Sequence, residues 1–382
     1  MTTAAVPVRA EIVVDLDAIR DNVRRLGDLV EGTPVMVVVK ADGYGHGIVQ
    51  AARAARAGGA GWLGVAERNE AMTVRRSGDT GRLLCWLGTP GEDVAELLDA
   101  DVDVAAYSCD ELWSVAASAR TTGRPARVHL KVDTGLNRGG CPRHLWPELV
   151  EAAAALEAEG VVTIVGIWSH FACSDEPGHP ANDAQQSAFE EALVVAGAAG
   201  LRPEVRHLAN SAGALLRPES RYDLVRFGIA AYGLSPAPLV VTAAELGLTP
   251  AMTVRARALL TKDIAPGDGV SYGHTYVADR SQHVALVPLG YGDGIPRHAS
   301  SKAEVLVHGR RGRILGRVCM DQFVVDAPDA TVTGEPVVLF GPGVDGEPTA
   351  QDWADWCETI SYEIVTRIGG NAGRAERRWI ES

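Results

Sequence analysis

The chain has 382 residues, of which 46% are hydrophobic and 22% are charged, and this balance is typical of a soluble globular protein. The length suits two domains, or a barrel with a smaller partner domain. The formal net charge of −13 argues against nucleic acid or an anionic membrane as a partner. No charged head precedes an apolar run at the start, and no apolar run approaches the ~20 residues that span a bilayer. We therefore expect a cytoplasmic protein.

Short β-branched runs alternate with Ala-rich helical segments over roughly the first 240 residues. A helix over Leu16–Val30 comes first, with Asp15 as its N-cap. Eight strand candidates follow, at Val35–Val39, Trp62–Val65, Leu83–Leu87, Val102–Ala106, Val128–Val132, Ile164–Trp168, Val205–Leu208 and Leu224–Arg226. This alternation predicts a (β/α)8 TIM-type barrel, with a doubly wound open sheet as the alternative. The length favours the barrel.

The pattern changes near Leu246, where short alternating segments replace the helical ones. The predicted strands are Met252–Leu260, Val284–Pro288, Ala303–Val307, Arg313–Val318, Phe323–Asp326 and Pro336–Phe340. Helices are predicted over Ala350–Trp356 and Ser361–Ile368. The sequence therefore predicts a barrel domain over residues 1–246 and a smaller, mainly β domain over residues 247–382.

A lysine, Lys40, directly follows the first predicted barrel strand. Barrel enzymes place their catalytic residues at the carboxyl ends of the strands. Desolvation at such a position lowers the pKa of a lysine and makes its amine a nucleophile. Taken alone, Lys40 fits an ordinary strand-end lysine whose amine reaches solvent better than it fits a reactive lysine.

Polar and basic residues follow the later strands as well. They are Lys131 and Arg138 after the fifth strand, Ser169 and His170 after the sixth, Asn210 and Ser211 after the seventh, and Arg226, Gly228 and Ile229 at the eighth. Barrels often bind phosphate after strands 7 and 8, and a glycine lets the backbone approach the phosphate closely. A reactive lysine opposite a phosphate cradle favours pyridoxal 5′-phosphate (PLP) as the cofactor.

The segment Val39-Lys40-Ala41-Asp42-Gly43-Tyr44-Gly45-His46-Gly47 resembles the PLP-attachment motif of bacterial alanine racemases. The resemblance runs from about Ala10 to Ile368. Further matching segments are Lys131–Arg138, Ser169–Phe171, Ala209–Ala212, Arg226–Ile229, Val270–Gly273, Gly290–Gly294, Cys319–Asp321 and Thr359–Glu363. Because all of these segments occur in order and at the family's spacing, the resemblance is very specific.

The resemblance implies roles for individual residues in holding PLP. Lys40 would carry the cofactor covalently. Arg226 would hydrogen-bond the pyridine nitrogen, held in place by His170 and His207, although His207 could also be an ordinary strand-end histidine. The phosphate would be held by Tyr44, Asn210, Ser211, Gly228, Ile229 and Tyr362.

The resemblance also implies a homodimer with shared active sites. Tyr272 would be the second catalytic base and would reach the site from the partner subunit. A tyrosine hydroxyl is a poor base at neutral pH unless a cation favours the phenolate, and Arg138 is the candidate cation. Met320 and Asp321, also from the partner, would line the substrate pocket with Arg138. Lys131 is a candidate for carbamylation, which would orient Arg138. We predict no metal site.

These observations predict PLP-dependent racemisation of L- and D-alanine by two bases. The alternatives are a racemase that also accepts serine, lysine or arginine, a PLP-barrel decarboxylase, and a non-enzymatic PLP-binding protein. Arg226 disfavours the decarboxylase, and the β domain disfavours the binding protein. The end of the chain, from Ile368 to Arg378, departs from the family's Arg-Val-Pro-Arg-like ending and leaves the last strand uncertain.

Overall fold

The computed structural model describes residues 8–89, 91–369 and 374–381. Eight parallel strands form one sheet in the order β8-β7-β6-β5-β4-β3-β2-β9. They are β2 (Val35–Val38), β3 (Trp62–Val65), β4 (Arg82–Cys85), β5 (Asp103–Ala106), β6 (Ala126–Lys131), β7 (Val162–Trp168), β8 (Val205–His207) and β9 (Val225–Phe227). All four residues of β2 are buried, as expected for a parallel strand covered on both faces.

Backbone hydrogen bonds connect the two end strands of this sheet. The N–H of Asp223 donates to the carbonyl of Arg206 at 3.1 Å, and the N–H of Arg226 donates to the carbonyl of Ala209 at 3.1 Å. The sheet therefore curls into a nearly closed barrel, and the predicted fold class is confirmed over the alternative of an open sheet.

Helices cover the outside of the barrel. They are α1 (Leu16–Leu29), α3 (Ile48–Ala57), α4 (Arg68–Arg76), α5 (Ala95–Asp99), α6 (Cys109–Thr122), α7 (Trp146–Ala158), α8 (Pro180–Ala198), α9 (Ser211–Leu216) and α10 (Ala243–Leu246), whereas the short turn α2 (Lys40–Tyr44) directly follows β2. Asp15 caps α1 as predicted, because its carboxylate accepts a hydrogen bond from the N–H of Ala18 at 3.0 Å.

A second sheet has nine strands in the order β11-β14-β17-β16-β15-β18-β10-β1-β19. They are β1 (Ala10–Asp15), β10 (Met252–Arg257), β11 (Leu260–Ile264), β14 (Gln282–Val287), β15 (Glu304–Val307), β16 (Arg310–Leu315), β17 (Phe323–Asp326), β18 (Pro336–Phe340) and β19 (Glu376–Ile380). A two-stranded ribbon pairs β12 (Gly269–Val270) with β13 (Tyr276–Val277), and the helices α11 (Ala350–Trp356) and α12 (Ser361–Arg367) complete the domain.

The structure differs from the sequence prediction in two places in this sheet. The single strand predicted over Met252–Leu260 is two strands, because the chain changes neighbours between them: Ala258 bonds Glu335, whereas Leu259 bonds Leu286. Strand β1, which the sequence analysis did not anticipate, pairs antiparallel with β10 and parallel with β19. The start and the end of the described chain therefore meet in the second sheet. The division at residues 246 and 247 stays a prediction.

The last strand, whose course the sequence left uncertain, is β19. Residues 370–373 of the atypical ending lie outside the described residues. Within the described part of the chain, no helix is long and apolar enough to cross a membrane.

Candidate active site at the barrel mouth

Lys40 lies at the carboxyl end of β2 and begins a left-handed turn. Ala41, Asp42, Gly43 and Tyr44 have φ values of 52°, 53°, 62° and 52°. For a residue other than glycine, the left-handed helical conformation costs roughly 1–2 kcal/mol. Such strain persists only where the surroundings determine the conformation, and it is concentrated at functional sites.

Hydrogen bonds with the neighbouring helix α4 and with the residue His46, just after the turn, stabilise this turn. The N–H of Ala41 donates to Glu70 Oε1 at 2.6 Å. The ring of His46 is completely buried, and its Nδ1 lies 3.0 Å from the carbonyl of Gly43 and 2.9 Å from that of Tyr44. Burial lowers the pKa of His46 to about 4, so the neutral ring donates from Nδ1.

The amine of Lys40 is partly buried at the mouth, 6.0 Å from the centre of the Trp86 ring. Burial and the nearby charge of Arg138 lower the pKa of Lys40, and Glu70 opposes them. The sequence prediction of a desolvated strand-end lysine therefore agrees with its surroundings.

Arg226 is almost completely buried in the wall of the barrel, with five acceptors within 3.1 Å of its terminal nitrogens. Nη1 donates to the carbonyl of His207 at 3.0 Å and to its Nδ1 at 3.1 Å. Nη2 donates to the carbonyls of Ser169 and Leu208 and to Nδ1 of His170. Burial and the charge of Arg138 lower the pKa of Arg226 to about 9, which leaves it protonated at neutral pH.

A buried chain of hydrogen bonds extends from Arg226 across the barrel. Arginine only donates, so Nδ1 of His207 must accept and its Nε2 must carry the proton. Nε2 lies 2.9 Å from Nδ1 of His129, and Nε2 of His129 lies 3.2 Å from Asp103 Oδ2. Each ring thus donates toward the carboxylate. The side chains of His207, His129 and Asp103 are all 0% exposed.

Asp103 ends this chain as an anion. Burial raises its pKa, but the hydrogen bond from His129 and the charge of Arg82 outweigh burial and hold the pKa below the ordinary value. Arg82 donates to this carboxylate at 2.9 Å and Arg127 at 2.5 Å.

The predicted phosphate ligands meet around Gly228. Its N–H donates to Ser211 Oγ at 3.0 Å. A Cβ added at Gly228 would lie 2.3 Å from the hydroxyl oxygen of Tyr44, so only glycine leaves room there. The ring of Tyr362, on α12, lies 6.2 Å from the ring of Tyr44. Ile229 is fully buried at the start of the following turn.

Asn210 is close to this group, and its side-chain oxygen accepts two hydrogen bonds. Its Oδ1 caps α9 by accepting from the N–H of Gly213 at 3.0 Å, and it also accepts from the hydroxyl of Ser174 at 2.8 Å. Asn210 therefore orients the loop that carries Ser211.

Lys131 lies at the end of β6, 4.5 Å from the centre of the Trp168 ring and 5.0 Å from that of Tyr107. Burial, Arg226 and Arg138 lower its pKa to about 8. Arg138 is exposed on the loop that follows. Together with Lys40, these residues make the mouth cationic, which suits an anionic ligand.

The remaining predicted residues lie in the second domain, around an open depression lined by residues 271–274 and 319–322. Tyr272 is 68% exposed and Met320 is 53% exposed. The turn that presents Tyr272 is fixed by Ser271, whose hydroxyl donates to the carbonyl of Arg317 at 2.7 Å. Asp321 pairs with the guanidinium of Arg374. The structure thus divides the predicted site residues between two surfaces.

Models of two families match the chain: the N-terminal domain of alanine racemase over residues 14–236, and its C-terminal domain over residues 251–376. An alanine racemase of Thermobifida fusca is 55% identical over 366 residues, covering 96% of this chain and 97% of the relative.

The chain belongs to the alanine racemase family.

Two solved structures of the family agree with this assignment. An alanine racemase from a D-cycloserine-producing Streptomyces lavendulae is 50% identical, with a TM-score of 0.96, covering 99% of this chain and 98% of the other. That of Streptomyces coelicolor A3(2) is also 50% identical, with a TM-score of 0.95 and 98% of each chain covered. The family is one of isomerases, so the predictions of an enzyme and of its family are confirmed.

Three residues of this candidate site were not predicted from the sequence. His129 and Asp103 complete the buried chain from Arg226, and Glu70 holds the turn that carries Lys40. The signal for the first two was present, because each is an ionisable residue inside a predicted apolar barrel strand. No comparable signal marked Glu70, which lies within a helix rich in charged residues.

Proposed function

We propose that this member of the alanine racemase family interconverts L- and D-alanine with PLP bound at Lys40. We further propose that the enzyme is a homodimer in which Tyr272 of the partner subunit completes each site. The observation that carries the proposal is the buried Arg226, held by five acceptors at the same barrel mouth as Lys40.

The residues at the mouth fit PLP. Glycine at position 228, where a Cβ would collide with the hydroxyl of Tyr44, lets the backbone, Tyr44 and Ser211 lie close together, as a phosphate cradle requires. The hydroxyls of Ser211, Tyr44 and Tyr362 are suitable phosphate donors. Burial raises the pKa of Tyr362 to about 12, so its hydroxyl keeps the proton that it would donate.

Arg226 would donate a hydrogen bond to the ring nitrogen of the cofactor, with His170 and His207 fixing its orientation. Because the guanidinium keeps its proton, that nitrogen would act as an acceptor and stay unprotonated. PLP, when bound, spreads the negative charge left at the substrate Cα when its proton is removed. A cofactor ring without the extra proton does so less strongly, which limits side reactions such as transamination.

Lys40 would remove or return the Cα proton on one face. Its lowered pKa favours the neutral amine that a base requires. Tyr272 of the partner subunit would act on the opposite face, and its exposure on an open depression supports a role completed by a second copy. Arg138 would bind the substrate carboxylate beside Met320 and Asp321 of the partner.

We also propose that Lys131 is carbamylated. Carbon dioxide reacts with a neutral amine, and a pKa of about 8 leaves a usable neutral fraction at physiological pH. The resulting anion would lie among cations and would attract Arg138.

Borohydride reduction of the holoenzyme followed by peptide mapping tests the anchor. The chain has four lysines, Lys40, Lys131, Lys262 and Lys302, so the assignment is unambiguous. We expect the cofactor on Lys40, and a label on any other lysine contradicts the proposal.

A chirality assay over L-amino acids tests the substrate. We expect rapid racemisation of alanine and slow or undetectable turnover of serine, lysine and arginine. Comparable rates for any of these three would identify the broader racemase instead. Release of carbon dioxide from an amino acid would identify a decarboxylase, and bound cofactor without either reaction would identify a PLP-binding protein.

A further inference from the structure

The exit of the left-handed turn, Gly45–Gly47, is covered by the end of the chain. A Cβ at Gly45 would lie 2.3 Å from the carbonyl oxygen of Val365, on α12. A Cβ at Gly47 would lie 2.9 Å from the ring of Trp379, on β19. These glycines, with φ values of 81° and 96°, allow the second domain to pack directly on the lysine-bearing loop.

Two side chains of β19 bond this loop. Nε1 of Trp379 donates to the carbonyl of His46 at 2.8 Å. The guanidinium of Arg377 pairs with the carboxylate of Asp42, whose other oxygen accepts from the N–H of Ile48 at 2.8 Å. Arg377 and Trp379 are two residues apart and therefore share one face of the strand.

Arg378, between them, belongs to the other face, where its guanidinium lies 3.4 Å from the carboxylate of Glu11. The strand itself is anchored, because β19 pairs along its whole length with β1. One face of β19 thus contacts Glu11 of the neighbouring strand β1, and the other face contacts the loop that follows Lys40.

We propose that β19 is a strap that positions the cofactor lysine: Arg377 and Trp379 hold the left-handed turn and thereby slow the loss of the cofactor. The part of this inference that concerns the cofactor rests on the proposed function. Neither residue touches the reacting atoms, so both are positioning residues. Strand β19 overlaps the atypical ending of the chain at residues 376–378, so this ending contacts the turn that follows Lys40.

The test compares the holoenzymes Trp379→Phe and Arg377→Met with the matched control Arg378→Met. Trp379→Phe keeps an aromatic ring over Gly47 and removes only the donor. Amide hydrogen exchange, measured by mass spectrometry, reports the opening of residues 41–47. Loss of the cofactor to a carbonyl-trapping reagent is followed by the visible absorbance.

We expect Trp379→Phe and Arg377→Met each to accelerate exchange in residues 41–47 and cofactor loss by about fivefold, the equivalent of one net hydrogen bond. Arg378→Met should leave both unchanged. Arg377→Lys should restore most of the wild-type behaviour, because it keeps a charge for Asp42.

Equal rates in all variants would overturn the proposal, as would acceleration spread evenly over β1, β10 and the barrel, which indicates general loosening. Exchange is also measured on the apoenzyme, so this result does not depend on the cofactor. If borohydride fails to mark Lys40 in the wild-type enzyme, the proposed function fails, whereas a marked Lys40 with unchanged variants overturns only the strap.

Discussion

The barrel mouth and the depression around Tyr272 are built in opposite ways. At the mouth, Arg226 is 4% exposed and hydrogen bonds fix both of its terminal nitrogens, and Lys131 is 6% exposed. At the depression, Tyr272 and Met320 are mostly exposed. Preorganised donors and charges stabilise a developing charge far more strongly in a site that excludes water than on an exposed surface. The mouth is therefore arranged within one chain, whereas the role proposed for Tyr272 requires a partner surface that excludes water from the depression.

Of the changes that distinguish the two surfaces, substitution of Lys40 should have the largest effect on racemisation. We expect Lys40→Ala to lower kcat by more than about 10⁴-fold, because it removes both the anchor and one base. A racemisation assay measures this, with the exposed Lys262→Ala as a control that should keep wild-type activity. Residual activity within tenfold of wild type would contradict the role of Lys40.

Tyr272→Phe should lower kcat by about 10²–10⁴-fold, the usual contribution of a positioned acid or base. Cofactor absorbance should be unchanged, because Tyr272 belongs to the exposed surface.

Mixing and reassembling inactive Lys40→Ala and Tyr272→Phe dimers tests whether the two surfaces come from different subunits. Random hybrids contain one intact site, so about a quarter of wild-type activity should return. No recovery after verified exchange of subunits would place both bases in one chain.

Asp103→Asn tests the stability that the mouth derives from its buried chain. Removing this charge should lower the free energy of unfolding by about 2–3 kcal/mol, because charged hydrogen bonds from His129 and Arg82 are weakened. Asp101→Asn is the matched control: Asp101 also pairs with Arg127 but is 64% exposed, and should change stability little. Chemical denaturation measures both variants.

The pH dependence of this effect has a definite sign. The pKa of Asp103 is lowered in the folded protein, so its contribution is present above the unfolded value of about 3.9 and is lost as the pH falls through the folded value. The difference between wild type and Asp103→Asn should therefore shrink below about pH 4. A difference that stays constant there would show that the charge is not the source of the stability.

The smallest effect concerns Lys131. Cyanate modifies neutral amines, so in buffer free of carbon dioxide the labelling rate of Lys131 should rise with a midpoint near pH 8. An ordinary lysine, with a pKa near ~10.4, is labelled appreciably only at higher pH. Because the charge of Arg138 lowers the pKa of Lys131, Arg138→Met should move the midpoint upward. Peptide mapping resolves the four lysines, and an unmoved midpoint would contradict this coupling.

The sequence by itself determined the barrel and most of its strands, because parallel strands covered on both faces are continuous apolar runs separated by helical segments. It also identified the residues at the carboxyl ends of the strands, since chain order alone places Lys40, Ser211 and Arg226 at one end of a barrel. The family motifs added Tyr272, whose position on a short turn of the β domain has no periodicity to mark it.

Only the tertiary structure decided which groups meet across the barrel and between the domains. Nothing local connects Asp103, His129 and His207 with Arg226, which lie on four different strands whose side chains meet only in the closed barrel. Likewise, β1 and β19 come from opposite ends of the chain, and no local feature of either strand specifies the other as its neighbour. Pairing between distant segments depends on the packed whole, and one such segment, β19, also contacts the left-handed turn beside Lys40.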